Sequence, residues 1–115
     1  MTMTDPEGKD NFKAPEIELL VAEGPSMEPI RLQIDGPKTL GRSRDNDVPL
    51  SDPGVSRSHA VLDLSEGRIT ITDQQSRGGV FLNLVRLEAG QTDVLCNRDL
   101  ISIGPWKFLV RLEEP

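Results

Sequence analysis

In one short segment after another of this chain, apolar residues fall at every second position, a period that forces extended strands with one face turned to a core. The pattern is cleanest where Ile30, Leu32 and Ile34 alternate with Arg31, Gln33 and Asp35, before Asp35-Gly36-Pro37 turns the chain. Earlier, Ile17, Leu19 and Val21 alternate with Glu16, Glu18 and Leu20. In the middle, Ala60, Leu62 and Leu64 alternate with Val61, Asp63 and Ser65, and after Glu66-Gly67 the residues Ile69 and Ile71 alternate with Thr70 and Thr72. A two-residue connection ending in glycine between two such runs spells a hairpin, because its primed turn matches the twist of the strands. Shorter strands are expected over residues 38–40, 80–82, 94–95 and 100–103, and a last one over 107–113 turns Phe108, Val110 and Leu112 inward.

No segment carries the 3.6-residue period of a helix. The nine prolines and ten glycines fall largely between the strand candidates, where connections need them. Many short strands with turns between them indicate an all-β chain, an antiparallel β-sandwich or barrel. The 115 residues suit one domain and are enough to bury a core without disulfides or metals. The expected organisation is a mobile acidic tail over residues 1–14 followed by a single domain over 15–115.

Composition narrows the function. A net charge of −6 and an aromatic content of 3% argue against a nucleic-acid surface, which needs basic residues and stacking platforms. Most of the acidic excess sits in residues 1–35, which hold eight acids against three bases. The lone Cys96 cannot form an internal disulfide and reads as a small buried hydrophobe. With His59 the only histidine, no zinc site can be assembled, and Asp45, Asp47 and Asp52 lack the calcium-loop spacing. No metal or cofactor is expected. No apolar run approaches the ~20 residues that span a bilayer, and residues 1–13 are polar, so a cytoplasmic chain with no membrane partner is expected. Trp106, after Gly104-Pro105, reads as a packing residue near a turn.

Three loops carry residues that are poor choices for merely joining strands: Gly41-Arg42-Ser43, Val55-Ser56-Arg57-Ser58-His59 and Ser76-Arg77-Gly78-Gly79. They offer guanidinium forks, hydroxyls and glycine-exposed backbone amides, the groups that bind a tetrahedral dianion. Spacing alone leaves open whether the loops converge or the arginines are ordinary solvated side chains. A hydrolase has no support, since there is one histidine and no nucleophile-elbow sequence.

The string Thr39-Leu40-Gly41-Arg42-Ser43, followed by Val55-Ser56-Arg57-Ser58-His59-Ala60, resembles the Gly-Arg and Ser-x-x-His signatures of forkhead-associated (FHA) domains. Residues 73–83 are similar to that family's third motif, and the likeness runs over about residues 16–113. It implies an antiparallel, SMAD-like β-sandwich of about eleven short strands with its ligand loops at one end. It further implies a non-enzymatic module for signalling by Ser/Thr kinases, binding a phosphothreonine segment of a kinase or of its substrate. Arg42 and Ser56 would contact the phosphate, joined by Arg57 and Arg77. Ser43, Gly78, Gly79 and Asn83 would lie against the peptide, while Gly41 and His59 would brace the loops. The preference for threonine over serine comes from a small apolar space for the γ-methyl group.

The third motif departs from the family. Where it usually reads Asn-Gly-Thr, this chain has Gly78-Gly79-Val80, so the side-chain amide that grips the peptide backbone is replaced by Gly78. Losing it removes hydrogen bonds worth ~0.5–1.5 kcal/mol each. Two readings follow: a phosphothreonine site with weaker peptide grip, or a degenerate domain serving as a phospho-independent scaffold. Thr2 and Thr4 could also supply an intramolecular ligand once phosphorylated.

Overall fold

The computed structural model describes residues 14–113, so the tail with Thr2 and Thr4 lies outside the described residues. Eleven strands form two sheets. The first sheet is built from β1 (Glu16–Glu23), β2 (Ile30–Gln33), β7 (Val80–Leu82), β8 (Val85–Arg86), β10 (Leu100–Ile103) and β11 (Trp106–Leu112), in the order β2-β1-β11-β10-β7-β8. The second holds β3 (Lys38–Gly41), β4 (Val48–Pro49), β5 (Ala60–Ser65), β6 (Arg68–Asp73) and β9 (Thr92–Val94), ordered β4-β3-β5-β6-β9. Every pairing is antiparallel except β3 with β4. The all-β sandwich expected from the sequence is therefore the fold.

The two-residue period explains the layers. Ile17, Leu19, Ile101, Ile103, Phe108 and Val110 from one sheet meet Leu40, Ala60, Leu62, Ile69 and Ile71 from the other, all buried. Burial of such side chains at about 25 cal/mol per Å² supplies the main drive to fold. Trp106 packs as expected, but from within β11: it stacks on Phe108 at 6.2 Å between ring centres, and its indole N–H donates to the Pro25 carbonyl at 2.9 Å. The central hairpin turns at Glu66 and Gly67, whose φ angles of 51° and 78° match the expected primed turn.

Several boundaries differ from the sequence reading. Strands β4 and β8 have two residues each, too short to show a period. The strand expected over 94–95 is β9, Thr92–Val94: Leu95 leaves the ladder and is buried, with its amide bonded to the Ile69 carbonyl. Cys96 is exposed, not buried, because Leu95 takes the inward place and the Cys96 amide joins Asp99 in a tight turn. Ile34 is in the core, but its amide bonds the Pro15 carbonyl beyond the end of β2.

One polar contact fixes the edge from which the first loop departs. The Asp47 carboxylate accepts from the Thr39 amide at 2.8 Å and its hydroxyl at 3.2 Å, while the Thr39 oxygen accepts from the Asp47 amide. The Thr39 amide holds the Asp47 carboxyl below its usual range, outweighing the opposing effect of desolvation, and the Thr39 hydroxyl and the nearby Lys38 charge add to the lowering. A lowered folded-state value means this contact stabilises the fold above the ordinary carboxylate range, near pH 3.9, and is lost as pH falls below it. Asp47→Ala is expected to lower stability by about 1 kcal/mol at pH 7. Urea unfolding at pH 7 and below pH 3 checks this: the gap between variant and wild type should close at the acid end.

Candidate functional site

The three loops singled out in the sequence converge at one end of the sandwich. Gly41 closes β3 against the second loop, because a β-carbon there would strike the Arg57 carbonyl. The backbones then run side by side: the Arg42 amide donates to the Ser56 carbonyl at 2.9 Å and the Ser43 amide to the Arg57 carbonyl at 3.3 Å. Asn46 stitches them together, its Nδ2 donating to the Ser43 carbonyl at 2.8 Å and to the Arg57 carbonyl at 2.7 Å.

His59 joins the second loop to the third. It is fully buried, its Nδ1 accepts from the Ser56 amide at 3.0 Å, and its Nε2 lies 2.8 Å from the Gly79 carbonyl. Because Nδ1 accepts, the neutral ring carries its proton on Nε2 and donates it to Gly79. The third loop is also tied from within. Ser76 donates its hydroxyl to buried Asp73 at 2.6 Å and accepts from the Gly79 amide at 3.0 Å. Gly79 has a φ of 86°, open to glycine at little cost.

The resulting depression, about 510 Å³, is lined by Arg42, Ser56, Arg57, Arg77 and Gly78, with Pro53, Gly54 and Val55 completing its wall. All four residues assigned to phosphate thus line one cavity. The Arg42 Nε donates to the Val55 carbonyl at 3.0 Å, which aims the guanidinium, and among the described residues its Nη groups have no hydrogen-bond partner. The Ser56 oxygen accepts from the Arg77 amide at 3.0 Å, and its own O–H has no acceptor among the described residues. No carboxylate of the described residues lies within 4.0 Å of Arg42, Arg57 or Arg77, whereas Arg31, Arg111, Lys38 and Lys107 each have an acidic partner. Arginine side chains and a serine hydroxyl on one cavity are groups of the kind that bind an oxyanion, and Asp52 lies beside Arg42 in an adjoining depression.

Not every assigned residue lines this cavity. Ser43 accepts from the Asp45 amide, and Gly79 is buried among its loop bonds. Asn83 is away from the depression, at the β7–β8 turn. Its Nδ2 donates to Asp99 at 2.9 Å and its Oδ1 accepts from the Leu100 amide at 2.9 Å. Gly78 instead lies on the border with a second, apolar groove of about 590 Å³, lined by Gly54, Gly78, Phe81, Leu84, Ser102, Gly104 and Lys107. Gly104 lets the β10–β11 turn meet the second loop, since a β-carbon there would sit 2.6 Å from a Val55 methyl. Leu84 and the adjacent Val85 are 68% and 67% exposed beside this groove.

Sequence reasoning missed Asn46, the Asp73–Ser76 pair and Leu84. Asn46 lies in an Asp/Asn-rich stretch of the kind that bonds nearby backbone, a usable signal. The Leu84 groove depends on which turns meet, for which no local pattern speaks. No helix among the described residues is long and apolar enough to cross a membrane.

Comparison with known proteins agrees with this geometry. An FHA domain family model matches residues 38–104, which include all three loops. The oxoglutarate dehydrogenase inhibitor of Corynebacterium efficiens is 34% identical over 103 residues, covering 89% of this chain and 70% of its own length. An FHA domain solved in a study of phosphothreonine-dependent FHA interactions superposes with a TM-score of 0.75 at 26% identity, over 87% of this chain and 99% of that one. EmbR of Mycobacterium tuberculosis, solved with a low-affinity phosphopeptide, gives a TM-score of 0.76 at 26% identity, over 99% of this chain and 28% of its own. Two sheets in this order, the three loops at one end and a family match spanning them place the chain in one group: it belongs to the FHA domain family.

Proposed function

We propose that this domain docks a phosphothreonine-bearing segment of a partner protein, with the phosphate seated against Arg42, Ser56 and Arg77, and Arg57 at the rim. The observation that carries this reading is the Ser56 hydroxyl. Its oxygen accepts from the Arg77 amide and its O–H has no acceptor among the described residues, so the proton can donate into a cavity that Arg42 and Arg77 also line. A phosphorylated side chain carries about −1.5 to −2 charge at neutral pH and several strong acceptors, which suits this donor set. The remainder of the segment runs past Gly78 into the apolar groove beside Leu84 and Phe81, continuous with the phosphate cavity through Gly54 and Gly78.

The role is binding, in the manner of an adaptor or a regulator. The partner is a Ser/Thr kinase or a kinase substrate. A relative's description as an enzyme inhibitor is consistent with a domain that acts by occupying a surface of another protein. Self-docking of a phosphorylated Thr2 or Thr4 is a variant of the same chemistry.

Titration with a pool of phosphothreonine peptides, their phosphoserine counterparts and unphosphorylated controls tests the proposal. Binding should require phosphate and favour phosphothreonine. Arg42→Ala should weaken it at least tenfold, since a hydrogen bond to a charged group contributes about 1.5–3 kcal/mol. Ser56→Ala should cost about fivefold, as for one ordinary hydrogen bond. Equal binding of all three pools, indifferent to Arg42→Ala, would favour a phospho-independent scaffold.

The groove gives a second expectation. Asn83 and Leu84 have φ angles of 52° and 70°, a primed turn whose second place favours glycine. A leucine in the left-handed region costs about 1–2 kcal/mol, yet here it stands 68% exposed at the groove. Strained residues of this kind cluster at functional sites. Leu84→Gly should therefore raise stability by about 1 kcal/mol in urea unfolding while weakening phosphopeptide binding. A variant that binds as tightly as wild type would remove Leu84 from the binding surface.

A further inference from the structure

The third loop poses a physical problem. It presents Arg77 to the cavity and its amide to Ser56, yet it contains two adjacent glycines, the residues that cost most conformational entropy to fix. Something must hold it. Four of its backbone groups are held by side chains already described: the Ser76 amide by Asp73, the Arg77 amide by Ser56, the Gly79 amide by Ser76 and the Gly79 carbonyl by His59. The side chain that reaches the Arg77 carbonyl belongs to a residue outside all three motifs.

That residue is Arg86. Its Nη2 donates to the Arg77 carbonyl at 3.4 Å. Its guanidinium also lies close to Gly79, where a β-carbon would sit 2.6 Å from Nε and 2.9 Å from Cζ. On the strand side its Cζ stands 5.9 Å from the centre of the Phe81 ring, its cross-strand partner in the β7–β8 pair. The side chain thus runs from the sheet to the loop, near an aromatic ring, in the space beside Gly79 and bonded to a carbonyl. Among the described residues no acid lies within 4.0 Å of it, so no ion pair pulls it elsewhere.

We infer that Arg86 is a positioning residue for the phosphate site, a clamp that holds the Gly78–Gly79 backbone so that Arg77 meets Ser56. This rests on the phosphothreonine reading of the cavity and adds to it a residue that no motif marks. The clamp needs arginine. A planar fork can donate to a carbonyl while remaining close to a ring and a glycine, whereas the compact point charge of lysine does not fill that space in the same way. Gly79 is then required twice, for its positive φ and for the room the guanidinium occupies.

The test uses the whole chain with Arg86→Lys and Arg86→Met. Amide hydrogen exchange in the free protein reads the clamp without any ligand. In both variants the Arg77 and Gly79 amides should exchange about fivefold faster, the loss of one hydrogen bond, while those of the β5–β6 hairpin stay unchanged. Affinity for the phosphothreonine peptide pool should fall about fivefold in both, and the ratio to wild type should persist when salt is raised. Unchanged loop exchange overturns the clamp. Full affinity in Arg86→Lys, with an Arg86→Met deficit that disappears at high salt, also overturns it, since Arg86 would then act as charge alone. If wild type ignores phosphate while loop exchange still responds to both variants, the phosphothreonine reading fails and the clamp stands.

Discussion

A single buried imidazole sets the geometry on which the binding end depends. His59 has no exposure to solvent, and both its ring nitrogens are spent on backbone, one on Ser56 and one on Gly79. Those two residues belong to loops that leave different strands, and Gly79 leads directly into β7 of the opposite sheet. One side chain therefore sets the distance between the serine hydroxyl and the arginine loop. An alkyl replacement would leave the part-buried Ser56 amide and the buried Gly79 carbonyl without their imidazole partner, each at the cost of an unmade hydrogen bond. The remaining ties, Asn46 across the first two loops and Asp73–Ser76 within the third, work on the same plan: a polar side chain satisfies backbone that no strand can pair.

This frame explains how an acidic protein can hold an anion. The net charge is −6, yet among the described residues no carboxylate lies within 4.0 Å of the guanidinium groups of the arginines lining the cavity. Pairing is confined to other faces, as where Glu18 meets Arg31 and Arg111 across β1, β2 and β11. Unpaired cations at the rim of a cavity raise the local potential and draw an oxyanion toward it even when the summed charge opposes. The free Ser56 proton then adds direction to attraction.

Much of the fold was legible in the sequence because a two-residue period with one apolar face has a single physical solution. Ile17, Leu19, Ala60, Leu62, Ile69, Ile71, Phe108 and Val110 are buried where the pattern puts them. Strands of two residues carry no period, so β4 and β8 were invisible, and Cys96 was misread because one residue of slip at the end of β9 exchanges inside for outside. At the site, Arg42, Ser56, Arg57 and Arg77 line one cavity. Asn83 is spent on Asp99 and Leu100, and the roles of Asn46 and Arg86 come from contacts between distant segments. Such contacts depend on loop closure, which no local pattern encodes.

The central claim is that a phosphate sits between Arg42, Ser56 and Arg77. Side-chain NMR of ¹⁵N-labelled arginine in the whole chain tests it most directly. A phosphothreonine peptide should shift and slow the guanidinium signals of Arg42 and Arg77 while leaving those of Arg68 and Arg98 in place, and the unphosphorylated peptide should move none of them. Equal responses to both peptides, or a response confined to arginines outside the cavity, would contradict the account.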